Sequence, residues 1–144
     1  MTVLEAAARP IGGLCAGALR FSGGHGEAVP LEQVLLAHAI GRPVVAPVPF
    51  PGASGVMMVP IPRPGVLREV SGVEAARAVP GVTAVVVTAK HGQVLEAIPE
   101  AASYLGFIFA TGAGDSDVLR ALGDAHARLQ FAIAPLIVLE RDGR

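Results

Sequence analysis

Glu5 and Arg9 stand either side of three alanines and run directly into Pro10-Ile11-Gly12-Gly13. A carboxylate at a strand end with an arginine just beyond it suits a magnesium ion bridging phosphate oxygens, with the guanidinium taking a second anion. The same spacing also suits two solvated end residues, and the pair alone does not choose between these readings. The other chemistry-bearing side chains read more plainly. No two of His25, His38, His91 and His126 stand at the i, i+4 spacing of helical zinc sites, and Cys15 has no second thiol to join it. His25 lies in the break Ser22-Gly23-Gly24-His25-Gly26 and reads as a loop residue. His91 reads as a turn residue beside an exposed Lys90, and His38 and His126 as packing residues on apolar helical faces. Cys15 reads as a small buried thiol and Met57 and Met58 as core filler. Gly112-Ala113-Gly114-Asp115 ahead of a helix could offer backbone N–H groups to an anion, but Asp115 competes for those donors as a cap.

These residues belong to a chain of 144 residues with a net charge of -1, 52% apolar and 16% charged, which corresponds to one folded domain and not to a disordered segment. The near-neutral charge carries no basic block, and aromatic residues are 4% with no Trp, which excludes a protein built chiefly to hold nucleic acid or an anionic membrane. No apolar run approaches the length of a bilayer span: Ala132 to Leu139 is short and broken by Pro135. Glu5 and Arg9 interrupt any signal-peptide core, and the single cysteine excludes an internal disulfide, so a cytoplasmic protein is expected.

The elements that must position the site follow from punctuation and period. Leu14 to Phe21 allows one or two helical turns. Leu31, Val34, Leu35 and His38 predict a helix over 31–40 stopped at Gly41. Pro43, Pro47, Pro49 and Pro51, with Gly52 and Gly55, place a subdomain boundary over 43–55. Strands are expected over 56–61 and 65–70, as a hairpin turning at Pro62 to Pro64, then a helix over 73–79 and strands over 82–88 and 105–111. A last helix begins at Asp115 or Ser116 with the stripe Val118, Leu119, Leu122, Ala125, His126 and Leu129, and Gly123 inside it costs about 1 kcal/mol. The order predicts an antiparallel or mixed sheet with helices packed on one face.

The segment Val3-Leu4-Glu5-Ala6-Ala7-Ala8-Arg9-Pro10-Ile11-Gly12-Gly13-Leu14-Cys15 resembles the last catalytic segment of ATP-grasp ligases, above all the L-amino acid ligase branch. Leu31 to Gly41, Gly55 to Pro62 and Val73 to Val82 agree with that branch in order and spacing. Leu105 to Gly112 and the helix after it are similar to the small C-terminal subdomain of these enzymes and of biotin carboxylase. The resemblance covers nearly the whole chain. It implies an α+β fold, with residues 1–50 as the tail of the ATP-grasp catalytic domain and 51–144 as the C-terminal subdomain. It also implies ATP and Mg2+ as cofactors, Glu5 as a metal-binding carboxylate, and Arg9 as a catalytic residue that holds phosphate or the activated carboxylate. Ala7 stands where the ATP-grasp pattern often has Asn, and the L-amino acid ligase branch tolerates Ala there.

Members of the family activate a carboxylate as an acyl phosphate that an amine displaces. Their Gly-rich phosphate loop, ATP-contacting lysines and second metal carboxylate precede this segment, and Lys90 alone does not replace them. The expectation is therefore the C-terminal part of a carboxylate-amine ligase, completed by a separate chain that carries the N-terminal half. The alternative is a non-catalytic interaction or dimerisation module derived from such a ligase. A chain this apolar is also expected to form a homo-oligomer.

Overall fold

The computed structural model describes residues 12, 14–23, 25–43, 48–96 and 104–136. A 3-10 turn over Cys15–Ala18 leads into β1 (Arg20–Ser22), β2 (Ala28–Pro30) and α1 (Leu31–Ala39). Then follow β3 (Ala53–Val59), β4 (Gly65–Ser71), α2 (Val73–Arg77), β5 (Val82–Val87), β6 (Val94–Leu95), β7 (Gly106–Gly112), α3 (Asp115–His126) and β8 (Gln130–Ala134). Every strand pairing among the described residues is antiparallel: β1 with β2, the sheet β3-β7-β5, and the sheet β6-β4-β8. The α+β class expected from the sequence holds.

The expected hairpin does not form. β3 pairs with β7, while β4 pairs with β6 and β8, so the two strands belong to different sheets. The chain between them reads Pro60-Ile61-Pro62-Arg63-Pro64. Pro60, Pro62 and Pro64 fix their own φ and hold the residues before them extended, so this passage runs on from one sheet to the next. Ile61 is buried in this passage, and the Arg63 guanidinium donates to the Ile133 carbonyl at 2.8 Å. β3 also begins at Ala53, inside the stretch expected to be irregular, because Pro51 and Gly52 complete the turn ahead of it.

Strand β7 is the centre of the larger sheet. Ile108 and Ala110 are fully buried on the face that carries α3, which packs on β3 and β7. Gly55 sits on that face, where a Cβ would come within 2.7 Å of Val118 Cγ1, so glycine lets the helix approach closely. On the other face Phe107 lies between Met58 and Val86, and Phe109 between Val56 and Ala84. The inner stripe of α3 is Val118, Ala121, Leu122 and Ala125, followed by Leu129 in the loop after the helix. Leu119 is 69% exposed, which corrects the expected stripe, since it lies about 100° around the helix from Val118. His126 is half-buried.

In α1 the inner positions are Leu31, Val34 and Ala37, all half-buried, while Leu35 and His38 are exposed. The packing role expected for His38 is therefore not seen: among the described elements β2 and the 3-10 turn make the main contacts with this helix, and they cover a narrow stripe. The short strands β1, β2 and β6 and the strand β8 were not expected from the sequence. Gly123 in α3 is exposed and a Cβ there meets nothing within 4 Å. Gly123→Ala should therefore stabilise the protein by about 0.5–1 kcal/mol, read as a higher urea midpoint with an unchanged slope; a lower midpoint would contradict the open placement.

Candidate functional site

Glu5 and Arg9 lie outside the described residues, and the segment that follows them is anchored to the larger sheet. Leu14 adopts a left-handed backbone (φ 58°), and the chain then tightens into the 3-10 turn. The Gly17 N–H donates to the Leu14 carbonyl at 2.9 Å and the Leu19 N–H to Ala16 at 3.0 Å. The turn sits on the Phe107 and Phe109 face of the sheet: a Cβ on Gly17 would lie 3.2 Å from the Phe109 ring. The Ser54 hydroxyl of β3 donates to the Ala18 carbonyl at 2.6 Å, and Arg20 clasps the turn by donating to Gly17 and Leu19 carbonyls at 2.8 and 2.9 Å. Strand β1 is held on its other side by Val48 to Phe50, through Ser22 N–H to Val48 (2.8 Å) and Phe50 N–H to Arg20 (3.0 Å).

Two clefts flank the C-terminal end of β7 and share Thr111 and Gly112. One, of about 390 Å³, lies between Arg20, Phe50, Gly52 and Ser54. The other, of about 370 Å³, lies against α3, where Asp117 and Arg120 form an exposed ion pair beside Asp124. An exposed pair of this kind contributes little to stability. Sequence reasoning passed over Arg20 and Ser54, because the contact from Ser54 to Ala18 spans 36 residues and no local spacing marks it.

No polar or charged side chain is buried among the described residues, and no group of three or more His, Cys, Asp or Glu residues is placed there to hold a metal. At Glu27 its own backbone N–H and that of His25 hydrogen-bond the carboxylate and hold its pKa below the ordinary glutamate value. That is the local geometry of the β1–β2 turn. His25, His38 and His91 are exposed, and Cys15 is half-buried within the 3-10 turn. The described residues thus form a scaffold whose larger sheet seats the 3-10 turn over Cys15–Ala18, and no helix among them is long and apolar enough to cross a membrane.

The architecture is that of a known fold. The structure is similar to the crystal structure of the L-amino acid ligase from Bacillus licheniformis, with a TM-score of 0.63 at 15% identity over 74% of this chain. The matched part is 27% of that protein, so this chain corresponds to about a quarter of its length. No curated protein sequence matches the chain. The family model described as L-amino acid ligase C-terminal domain 2 matches residues 57–134, from within β3 to the last residue of β8. Because that match takes in both three-stranded sheets, α2 and α3, the chain belongs to the L-amino acid ligase C-terminal domain 2 family and is the C-terminal portion of an ATP-grasp ligase.

Proposed function

We propose that Glu5 and Arg9 contribute to the ATP-magnesium site of a carboxylate-amine ligase whose nucleotide-binding elements are supplied from outside these 144 residues. The observation that supports it is the seating of the segment after Arg9 on the sheet that the family match identifies, through Gly17, Ala18 and Arg20. In this reading residues 1–50 are the tail of the catalytic domain, 51–144 the C-terminal subdomain, and the working protein is cytoplasmic and engages neither nucleic acid nor membrane.

The donor set fits the group. Magnesium is held by one or two carboxylates together with phosphate oxygens and water, so a single glutamate from this chain is a sufficient share. Glu5 would hold the ion, which neutralises phosphate charge when bound. Arg9 offers a guanidinium to a phosphate or carboxylate oxygen pair. Its role is to stabilise charge as a substrate carboxylate attacks the terminal phosphate of ATP, giving the acyl phosphate and ADP. An amine then displaces phosphate to form the amide.

In the enzyme reconstituted with the polypeptide that supplies the upstream half, Arg9→Ala should lower kcat about 10²-fold or more, and Glu5→Gln should do the same with a raised magnesium requirement. Unchanged kinetics in both, with native circular dichroism, would sink the assignment. Calorimetry on the lone chain tests the division of labour: saturable ATP-magnesium binding abolished by Arg9→Ala would mean that no second polypeptide is needed. One observation favours the non-catalytic reading as well, namely that among the described residues every buried apolar side chain lies between Val59 and Ile133, within or beside the segment the family match covers. Native kinetics in Arg9→Ala would leave that reading standing.

A further inference from the structure

The helix α1 is apolar at six of its nine positions, Leu31, Val34, Leu35, Leu36, Ala37 and Ala39, yet none of its residues is buried. Its inner stripe is spent on β2 and the 3-10 turn. Its outer stripe carries Leu35 (43% exposed), Leu36 (62%) and, one residue past the helix, Ile40 (59%). Leu35, Leu36, Ala39 and Ile40 follow the i, i+1, i+4, i+5 pattern of one continuous helical face, which a soluble helix normally turns inward.

The two ends of the helix carry opposite charges. Glu32 stands in the first turn on the same side, four residues before Leu36. Arg42 stands at the other end, and its position is fixed. The Gly41 N–H donates to the His38 carbonyl at 3.0 Å and the Arg42 N–H to Ala37 at 2.9 Å, with Gly41 at φ 74°. This is the Schellman arrangement, which folds the chain back over the helix end. Neither Glu32 nor Arg42 makes an ion pair among the described residues.

We infer that this face is the seat of a second copy of the same chain, packed through α1 against α1 in antiparallel fashion about a two-fold axis. Glu32 and Arg42 are symmetric about position 37. An antiparallel pairing centred there brings each Glu32 to the partner's Arg42, twice per dimer, and opposes the helix dipoles favourably. Leu35, Leu36, Ala39 and Ile40 of the two copies fill the seam. A helix of nine residues is about 13 Å long, so the contact belongs to the small interface class and the dimer is weak and concentration-dependent. The inference goes beyond the ligase reading and does not depend on it, since association is measured without any turnover.

Sedimentation equilibrium of the full chain from about 5 to 500 µM tests it, with the upper half of that range expected to populate dimer. The double variant Leu36→Glu with Ile40→Glu should stay monomeric throughout while keeping native circular dichroism, because both side chains are exposed. The charge pairing is tested separately. Glu32→Arg and Arg42→Glu should each weaken the dimer at least threefold, and the two together should restore it, since the exchange reverses both pairs. A monomer at every concentration would overturn the proposal and leave the face to the larger remainder of a ligase. A dimer that the charge exchanges do not touch, or that survives the double Glu variant, would overturn it equally.

Discussion

Gly72→Ala should cost the protein about 2–5 kcal/mol, enough to unfold a large share of a domain whose total stability is of the ordinary 5–15 kcal/mol. Gly72 caps the start of α2 with φ at 79°, a backbone region that costs a residue with a Cβ about 1 kcal/mol or more. The larger part of the loss comes from crowding. A Cβ at this position would lie 1.9 Å from the Arg128 carbonyl oxygen and 2.9 Å from its carbonyl carbon, and both are backbone, which has no rotamer to move to. Either the turn before α2 or the turn after α3 must shift, with β8 directly behind the latter, and forced shifts of this kind cost about 1–3 kcal/mol. Gly92→Ala supplies the comparison. Its φ is also 79°, but a Cβ there meets nothing within 4 Å, so only the backbone preference is lost, about 1 kcal/mol. Urea unfolding of the two variants side by side separates conformational cost from steric cost. Equal losses would show that Gly72 is needed for its φ alone.

Ile108→Ala should cost about 3–5 kcal/mol, toward the upper end for an aliphatic truncation. Ile108 is fully buried at the middle of the central strand, opposite Met57 on one side and Val85 on the other, beneath α3. The surrounding groups belong to strands hydrogen-bonded on both flanks of β7, so they cannot collapse into the space left behind, and the cavity penalty is retained in full. Leu119→Ala removes the same number of carbons from the exposed side of α3 and should stay within about 0.5 kcal/mol. If the two variants lost stability to the same degree, the orientation of α3 on the sheet would have to be redrawn.

What could be read from the sequence divides along the range of the interactions involved. Helices α1 and α2 follow from proline and glycine punctuation that acts within a few residues. α3 follows from the cap signal at Asp115 and the recurrence of Val118, Leu122 and Ala125 along one face. The α+β class was legible in the order of the elements, which left the sheet antiparallel or mixed. The pairing of strands was not, because β3 finds β7 and β4 finds β8 across most of the domain, and nothing local distinguishes those partners from the nearer one. Proline carried the missing information. Three at alternate positions favour an extended passage over the hairpin that two adjacent apolar runs otherwise suggest. The exact side of a helix was legible only to within one residue, which is why Leu119 and His38 were expected inside and stand outside. Of the site, the residue types at Glu5 and Arg9 speak through their resemblance to a family. The clasp made by Ser54 and Arg20 on the turn that follows them comes from three-dimensional contact alone.

The place of β7 in its sheet has a consequence for synthesis on the ribosome. β3 and β5 each lack a neighbour in their sheet until β7 arrives between them, with Ala53 opposite Gly112 in the register. Both outer strands, with their runs of valine and methionine, leave the exit tunnel well before the strand that joins them. Through that interval a nascent chain presents two apolar edges at once, the arrangement most prone to pairing with a neighbour on the same message. The passage of Gly112 out of the ribosome is then the event that joins the two outer strands into one sheet, on which α3 can afterwards pack.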